Sequence, residues 1–159
     1  MAGEFRMWRP ALTVDDDPIV RMCLALNAED PGPAPVPADN MRRTLRVLRE
    51  TPLRGHAMVL EVDGRVCGYA LLISFWSNEL GGDVCTIDEL FAEPAHRGSG
   101  HATQLFQALS GRTEPWMENV AALSLETTPA NTRALRFYQR LGFRGRNLTM
   151  HWRLSSTQR

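Results

Sequence analysis

The sequence predicts an α+β fold of three layers, a mixed and mostly antiparallel twisted sheet flanked by helices, and three stretches carry that expectation. His56 to Val62 and Arg65 to Trp76 are strand-like arms joined by Asp63-Gly64, a pair that accepts the positive φ angles of a two-residue hairpin turn. Val84 to Ala92 is rich in β-branched and apolar residues, is stopped by Pro94, and passes through Arg97-Gly98-Ser99-Gly100-His101-Ala102 into a helix. There Ala102, Leu105, Phe106 and Leu109 recur at i, i+3, i+4 and i+7, one face of a helix beginning near Ser99. Val120 to Thr127 reads as a further strand, followed by a helix from Pro129 to Leu141 with Gly142 at its C-cap.

The other elements follow from local chemistry. Phe5 to Leu12 reads as a first strand. Asp15 to Asp17 with Pro18 resembles a helix start, acids lying near the positive dipole end and proline being tolerated in the first turn; Ile19, Met22, Cys23 and Leu26 then make an apolar stripe. Asn27 to Pro37 carries four prolines and cannot hold regular structure. A second helix from Ala38 to about Glu50 places Met41, Leu45 and Leu48 on one side and Arg42, Arg43, Arg46 and Arg49 on the other, a solvated face or a ligand patch. The loop Ser77 to Gly82 is short and glycine-ended, so Val84 to Ala92 should run antiparallel to the preceding arm and complete a three-stranded meander. Arg112 to Trp116 breaks periodicity, and Gly145 to Leu154 reads as closing strand material.

A chain of 159 residues suits one compact domain, residues 1–159. Eighteen basic and eighteen acidic residues cancel, leaving no general basic field to draw nucleic acid or acidic lipid. Cys23, Cys67 and Cys85 are odd in number, lack C-x-x-C spacing and sit in apolar surroundings, so buried free thiols in a reducing compartment fit better than disulfides, and no metal site is suggested. With no apolar leader at the N-terminus and no run of about 20 apolar residues, a soluble, cytoplasmic protein is expected.

A strand, a glycine turn and a helix start make an anion site. The first amides of a helix lack partners within it and carry the positive dipole end, and glycines let the backbone come close to a phosphate. The bland alternative is a helix-capping loop. Neither the Lys-Ser/Thr of a Walker A loop nor a G-x-G-x-x-G fingerprint is present. Instead Arg97-x-x-Gly100-x-Ala102, behind a strand ending Leu90-Phe91-Ala92, resembles motif A of the GNAT superfamily of acyl-CoA N-acyltransferases, Q/R-x-x-G-x-G/A. Asn131-Thr132-Arg133-Ala134-Leu135-Arg136-Phe137-Tyr138-Gln139-Arg140-Leu141-Gly142-Phe143 resembles its motif B, N-x-x-A-x-x-F-Y-x-x-x-G-F. With the elements on either side, the resemblance covers essentially the whole chain.

The resemblance implies a single GNAT-like domain, an α/β three-layer arrangement with a sheet of six to seven strands, about four helices and the order β-α-α-β-β-β-α-β-α-β-β. It implies acetyl-CoA as co-substrate and no metal. The amides of Gly98, Ser99, Gly100, His101 and Ala102, with Arg97 beside them, would hold the pyrophosphate of coenzyme A. Leu90, Phe91 and Ala92 would splay from Leu123 to Glu126, so that freed backbone groups accept pantetheine and one N–H meets the thioester oxygen. His101 replaces the aliphatic residue common at its place and reads as packing or partly exposed; Ala92 is smaller than the usual Val. Tyr138 would protonate the departing thiolate, although helical periodicity alone places it in the core. Asn131 would be N-cap and cofactor contact, or N-cap alone.

Asp88 and Glu89 interrupt an apolar strand and, being adjacent, should point to opposite faces. A buried acid needs a cation, a set of donors or a proton-transfer role, so either ion pairs with arginines or a general base is open. Asp88-Glu89-Leu90-Phe91 before Arg97-Gly98 is similar to small-amine acetyltransferases of the spermidine/spermine type. That points to a polyamine or amino-sugar acceptor drawn in by Glu29, Asp30 and Glu79, unless these are solvated loop acids. Acetylation of a protein N-terminus or lysine, and a cofactor-binding regulatory module without turnover, are the alternatives. A homodimer is compatible with the sequence.

Overall fold

The computed structural model describes residues 7–145 and 150–154. The chain forms two compact units, Met1–Glu126 and Thr127–Arg159. The first holds β1 (Trp8–Pro10), α1 (Asp16–Glu29), α2 (Ala38–Glu50), β2 (Gly55–Val62), β3 (Arg65–Ser77), β4 (Gly82–Ala92), α3 (His101–Ser110) and β5 (Val120–Leu125); the second holds α4 (Thr132–Leu141). The expected α+β class and element order stand as far as α4. The expected six to seven strands become five among the described residues. Of the closing strand, residues 146–149 lie outside the described residues and Met150 to Leu154 form none; Phe5 and Arg6 of the first strand also lie outside.

The sheet order is β1-β2-β3-β4-β5. The first three pairings are antiparallel, and β4 and β5 are parallel, joined through α3. Asp63 and Gly64 take φ of 52° and 74°, the left-handed pair a two-residue hairpin turn needs. On one sheet face Val59, Tyr69, Leu71 and Phe91 pack with Ile19, Val20, Met22 and Cys23 of α1 and Met41, Leu45 and Leu48 of α2. Alternation puts Met58, Leu60, Leu72, Cys85 and Ile87 on the other face, all buried. Trp8 shares that face, and its indole Nε1 donates to the carbonyl of His101 at the start of α3 (2.8 Å). All three cysteines are buried and free.

The acids read as a helix start have more specific tasks. Asp17 accepts from Arg42 at 2.8 Å and Asp16 pairs with Arg49, so two of the four arginines of α2 tie it to α1. Asp15 is buried, accepts from Arg9 at 2.7 and 3.1 Å, and caps the amide of Leu12 at 2.7 Å. Burial opposes its ionisation, but the Arg9 and Leu12 hydrogen bonds prevail and hold its carboxyl below the ordinary 3.8. Stability from this depressed group is fully present above that ordinary value and is lost as pH falls through the lower folded one. Asp15→Asn is expected to destabilise the fold by about 2 kcal/mol at neutral pH, because it leaves Arg9 half-paired. Urea melts of both proteins should show the gap narrow below pH 4; a constant gap would mean that packing rather than charge sets it.

Candidate active site

The central feature is a bulge in β4. Leu72 pairs with Ile87 and Leu71 with Glu89, so Asp88 has no partner on β3. Strict alternation would leave Glu89 on the face of Ile87. The extra residue turns it instead to the face of Tyr69 and Phe91, against α1. This corrects the expectation that the two acids simply alternate: Asp88 is the extra residue and is exposed, and Glu89 is half-buried.

At the same level β5 leaves β4. Their last pair is Ile87 with Leu125, whereas β4 continues on β3 to Ala92 opposite Gly68. β5 ends at Leu125, so among the described residues β4 has no β5 partner from Asp88 to Ala92, the stretch in which the family resemblance implies a splay at Leu90, Phe91 and Ala92. Beyond it the chain turns at Pro94 and enters the glycine turn. Gly98 and Gly100 take φ of 76° and 82°, and a Cβ at either would meet nothing within 4 Å. These glycines thus serve left-handed backbone beside open space. Gly100 is the N-cap of α3 and offers no side-chain cap bond, so the helix starts two residues later than Ser99. Ser99 is exposed, Ala102 half-buried and His101 buried. The His101 Nδ1 is enclosed with no hydrogen-bond partner among the described residues.

Arg97 points back into the protein. Its Nε donates to the Ala92 carbonyl at 2.8 Å, its guanidinium stands 5.3 Å from the Phe91 ring centroid, and Nη2 reaches both oxygens of Glu29 at 2.9 Å. The pair is exposed, so it orients the end of α1 more than it stabilises. Glu29 is therefore brought to the glycine turn already engaged. Asp30 follows it as the C-cap of α1. Glu79 is not brought there: it lies in the β3–β4 turn, roughly 20 Å of strand from the bulge.

Among the described residues, neither Asp88 nor Glu89 has the arginine partner considered from sequence. The Tyr69 hydroxyl donates to Glu89 Oε2 at 2.6 Å. Burial raises the Glu89 carboxyl above its ordinary value and the Asp88 charge adds to this, while the Tyr69 and Cys23 hydrogen bonds pull against it. Asp88, though exposed at its surface, is hemmed in closely enough that desolvation lifts it, with the charge of Glu126 second. Tyr69, fully buried, was not among the residues expected at the site. Its place within an apolar run hid it, and pairing across the hairpin was the one signal that could have found it.

In the second unit, Asn131 caps α4 by accepting from the amide of Ala134 at 3.2 Å. Tyr138 is half-buried, its ring 5.4 Å from Phe137 and 5.9 Å edge-on to Phe143, and burial raises its phenol pKa. Gly142 ends the helix at φ 111°. Among the described residues, no group of three or more His, Cys, Asp or Glu is placed to hold a metal, and no helix is long and apolar enough to cross a membrane.

Residues 21–143 match the acetyltransferase (GNAT) family, and the chain belongs to it. Members of this family use acetyl-CoA as co-substrate. An uncharacterised N-acetyltransferase of Methanocaldococcus jannaschii is 37% identical over 93 residues, covering 57% of this chain and 53% of that protein, so the match spans about half the length of that relative. A possible acetyltransferase from Clostridium difficile 630 has a similar structure, with a TM-score of 0.78 at 19% identity over 93% of this chain and 96% of that one. An integron cassette protein from the Cole Harbour Salt Marsh metagenome gives a TM-score of 0.76 at 23% identity over 96% and 92%. Ribosomal-protein-alanine N-acetyltransferase from Brucella melitensis biovar Abortus 2308 gives 0.70 at 18% over 92% and 99%. At these identities the likeness is one of fold.

Proposed function

We propose that residues 1–159 act as one acetyltransferase domain, moving the acetyl group of acetyl-CoA to the primary amine of a small molecule of polyamine or amino-sugar type. This reading rests above all on the parting of β4 from β5 after Ile87 and Leu125, with the left-handed Gly98 and Gly100 turn just beyond. Pantetheine lies along the freed edge from Leu90 to Ala92, and the pyrophosphate meets the amides from Gly98 to Ala102. The open space that a Cβ would enter fits that use. Asn131 and Tyr138 are assigned from motif B, as cofactor contact and general acid.

The amine arrives as an ammonium with a pKa near 10.4 and must lose a proton before attack. Glu89, directly or through water, takes that proton; Asp88, beside it, and Asp30 supply negative charge that favours a cation. The amine nitrogen then bonds to the thioester carbon, a backbone N–H of the unpaired edge holds the developing oxyanion, the C–S bond breaks, the thiolate takes the Tyr138 proton, and the second proton leaves the new amide nitrogen and, through water, restores the phenol.

The test offers acetyl-CoA with a panel of small amines and peptides, read by free thiol. Small amines are expected to react, with a rate rising with pH through a group above the ordinary glutamate value. Glu89→Gln should lower that rate by about 10²-fold and Asp88→Asn should lower it by less, both leaving acetyl-CoA binding intact. Acetylation of peptides alone would replace the acceptor and keep the transferase. Full activity in both variants would remove the carboxylates from the chemistry.

A further inference from the structure

We propose that Tyr69 is the positioning residue for Glu89, its buried hydroxyl fixing the carboxylate that the bulge at Asp88 has turned toward α1. The proposal rests on the assignment of Glu89 as base. Three observations combine. Leu71 opposite Glu89 and Tyr69 opposite Phe91 place the phenol and carboxyl on one face of neighbouring strands, two residues apart along β3. Tyr69 is fully buried, so its ring has one position, held also against Phe91 at 6.3 Å between centroids. Its hydroxyl meets Glu89 Oε2 at 2.6 Å, the short distance of an O–H donor to a carboxylate.

This arrangement ties Glu89 Oε2 to a donor that cannot move. An ionised carboxylate offers about four lone-pair sites, so a donor on one oxygen fixes its orientation and still leaves sites for the amine proton. Burial pushes the Tyr69 phenol far above its ordinary value, with the Glu89 charge adding, so it stays a donor wherever Glu89 is ionised. The groups acting on Glu89 come from each neighbouring element: Tyr69 from β3, Cys23 from α1 and Asp88 from β4. Cys23 is itself steadied by Asn27, whose Nδ2 donates to its carbonyl at 2.8 Å and lies 3.5 Å from Sγ. Burial and then the Glu89 charge hold the Cys23 thiol protonated, so it too is a donor. Tyr69 from β3 and Cys23 from α1 thus bring donors to the carboxylate inside an apolar layer.

Tyr69→Phe keeps the ring and removes the donor. Since the hydrogen bond favours the ionised carboxyl, its loss should raise the Glu89 pKa by about one unit. Two readouts test this. The acid limb of kcat/KM should move upward by that amount with the high-pH plateau lowered less than tenfold, and a ¹³C NMR titration of side-chain carboxyls, assigned with Glu89→Gln, should show the same shift without any substrate. Cys23→Ala should move both readouts the same way by less, and serves should Tyr69→Phe fold poorly. An unshifted carboxyl in both variants overturns the proposal. A shifted carboxyl with an unmoved rate profile makes the contact structural only, and overturns it equally. Full activity of Glu89→Gln, by contrast, strikes the base assignment itself, whatever the titration shows.

Discussion

Tyr138→Phe is expected to lower turnover by about 10²-fold or more while leaving acetyl-CoA affinity within a few-fold, the scale of a lost general acid. The substitution keeps the ring, and with it the contacts to Phe137 and Phe143. Only the hydroxyl, with its proton, goes. Burial lifts the phenol above its ordinary 10.0, so it stays protonated throughout the neutral range and available to a thiolate whose own pKa is roughly 8.5. The wild-type rate should accordingly show no alkaline limb below about pH 10 from this residue. Initial rates at saturating acetyl-CoA, with calorimetric binding of the same ligand, separate the two effects. A variant of full activity would return Tyr138 to the packing role that its helical position alone suggests, with water protonating the thiolate.

Elements whose signals are local were legible in the sequence. The second helix falls on Ala38–Glu50 as its apolar period predicts, and the Asp63-Gly64 turn is where that dipeptide puts it. Helix starts slipped. The third begins at His101 rather than near Ser99 because the chain spends two left-handed glycines before it can coil, and the fourth begins at Thr132, beyond its Asn131 cap, rather than at Pro129. What sequence could not give was pairing across distance. Whether Asp88 is an ordinary strand residue or a bulge depends on the register against β3, and one extra residue reverses the face of Glu89. Tyr69 and Glu89 meet across 20 positions, and Arg97 and Glu29 across 68. Motif A likewise signalled a phosphate turn at Arg97, but the guanidinium faces Phe91, Ala92 and Glu29, a direction set by the end of α1 and silent in the motif.

The turn itself provides the other large effect: Gly100→Val is expected to abolish acetyl-CoA binding. Two causes act at once, and they can be separated. At φ 82° a branched side chain is strained by about 1–2 kcal/mol, which lowers stability with or without ligand. The second cause is occupancy. Apart from its chain neighbours, a Cβ at Gly100 meets no atom of the described residues within 4 Å, so Val there would enter open space, the place proposed for the pyrophosphate. Gly100→Asn isolates this cause, because Asn tolerates the left-handed region with little strain yet still projects into that space. Thermal melts decide. At a hundredfold excess over its dissociation constant, acetyl-CoA should stabilise the wild type by about 2.7 kcal/mol and raise its melting temperature by several degrees. Gly100→Asn should melt near the wild type without ligand and lose that rise with it, while Gly100→Val should lose both. If Gly100→Asn keeps the full ligand-induced rise, the turn is a helix cap and the pyrophosphate lies elsewhere.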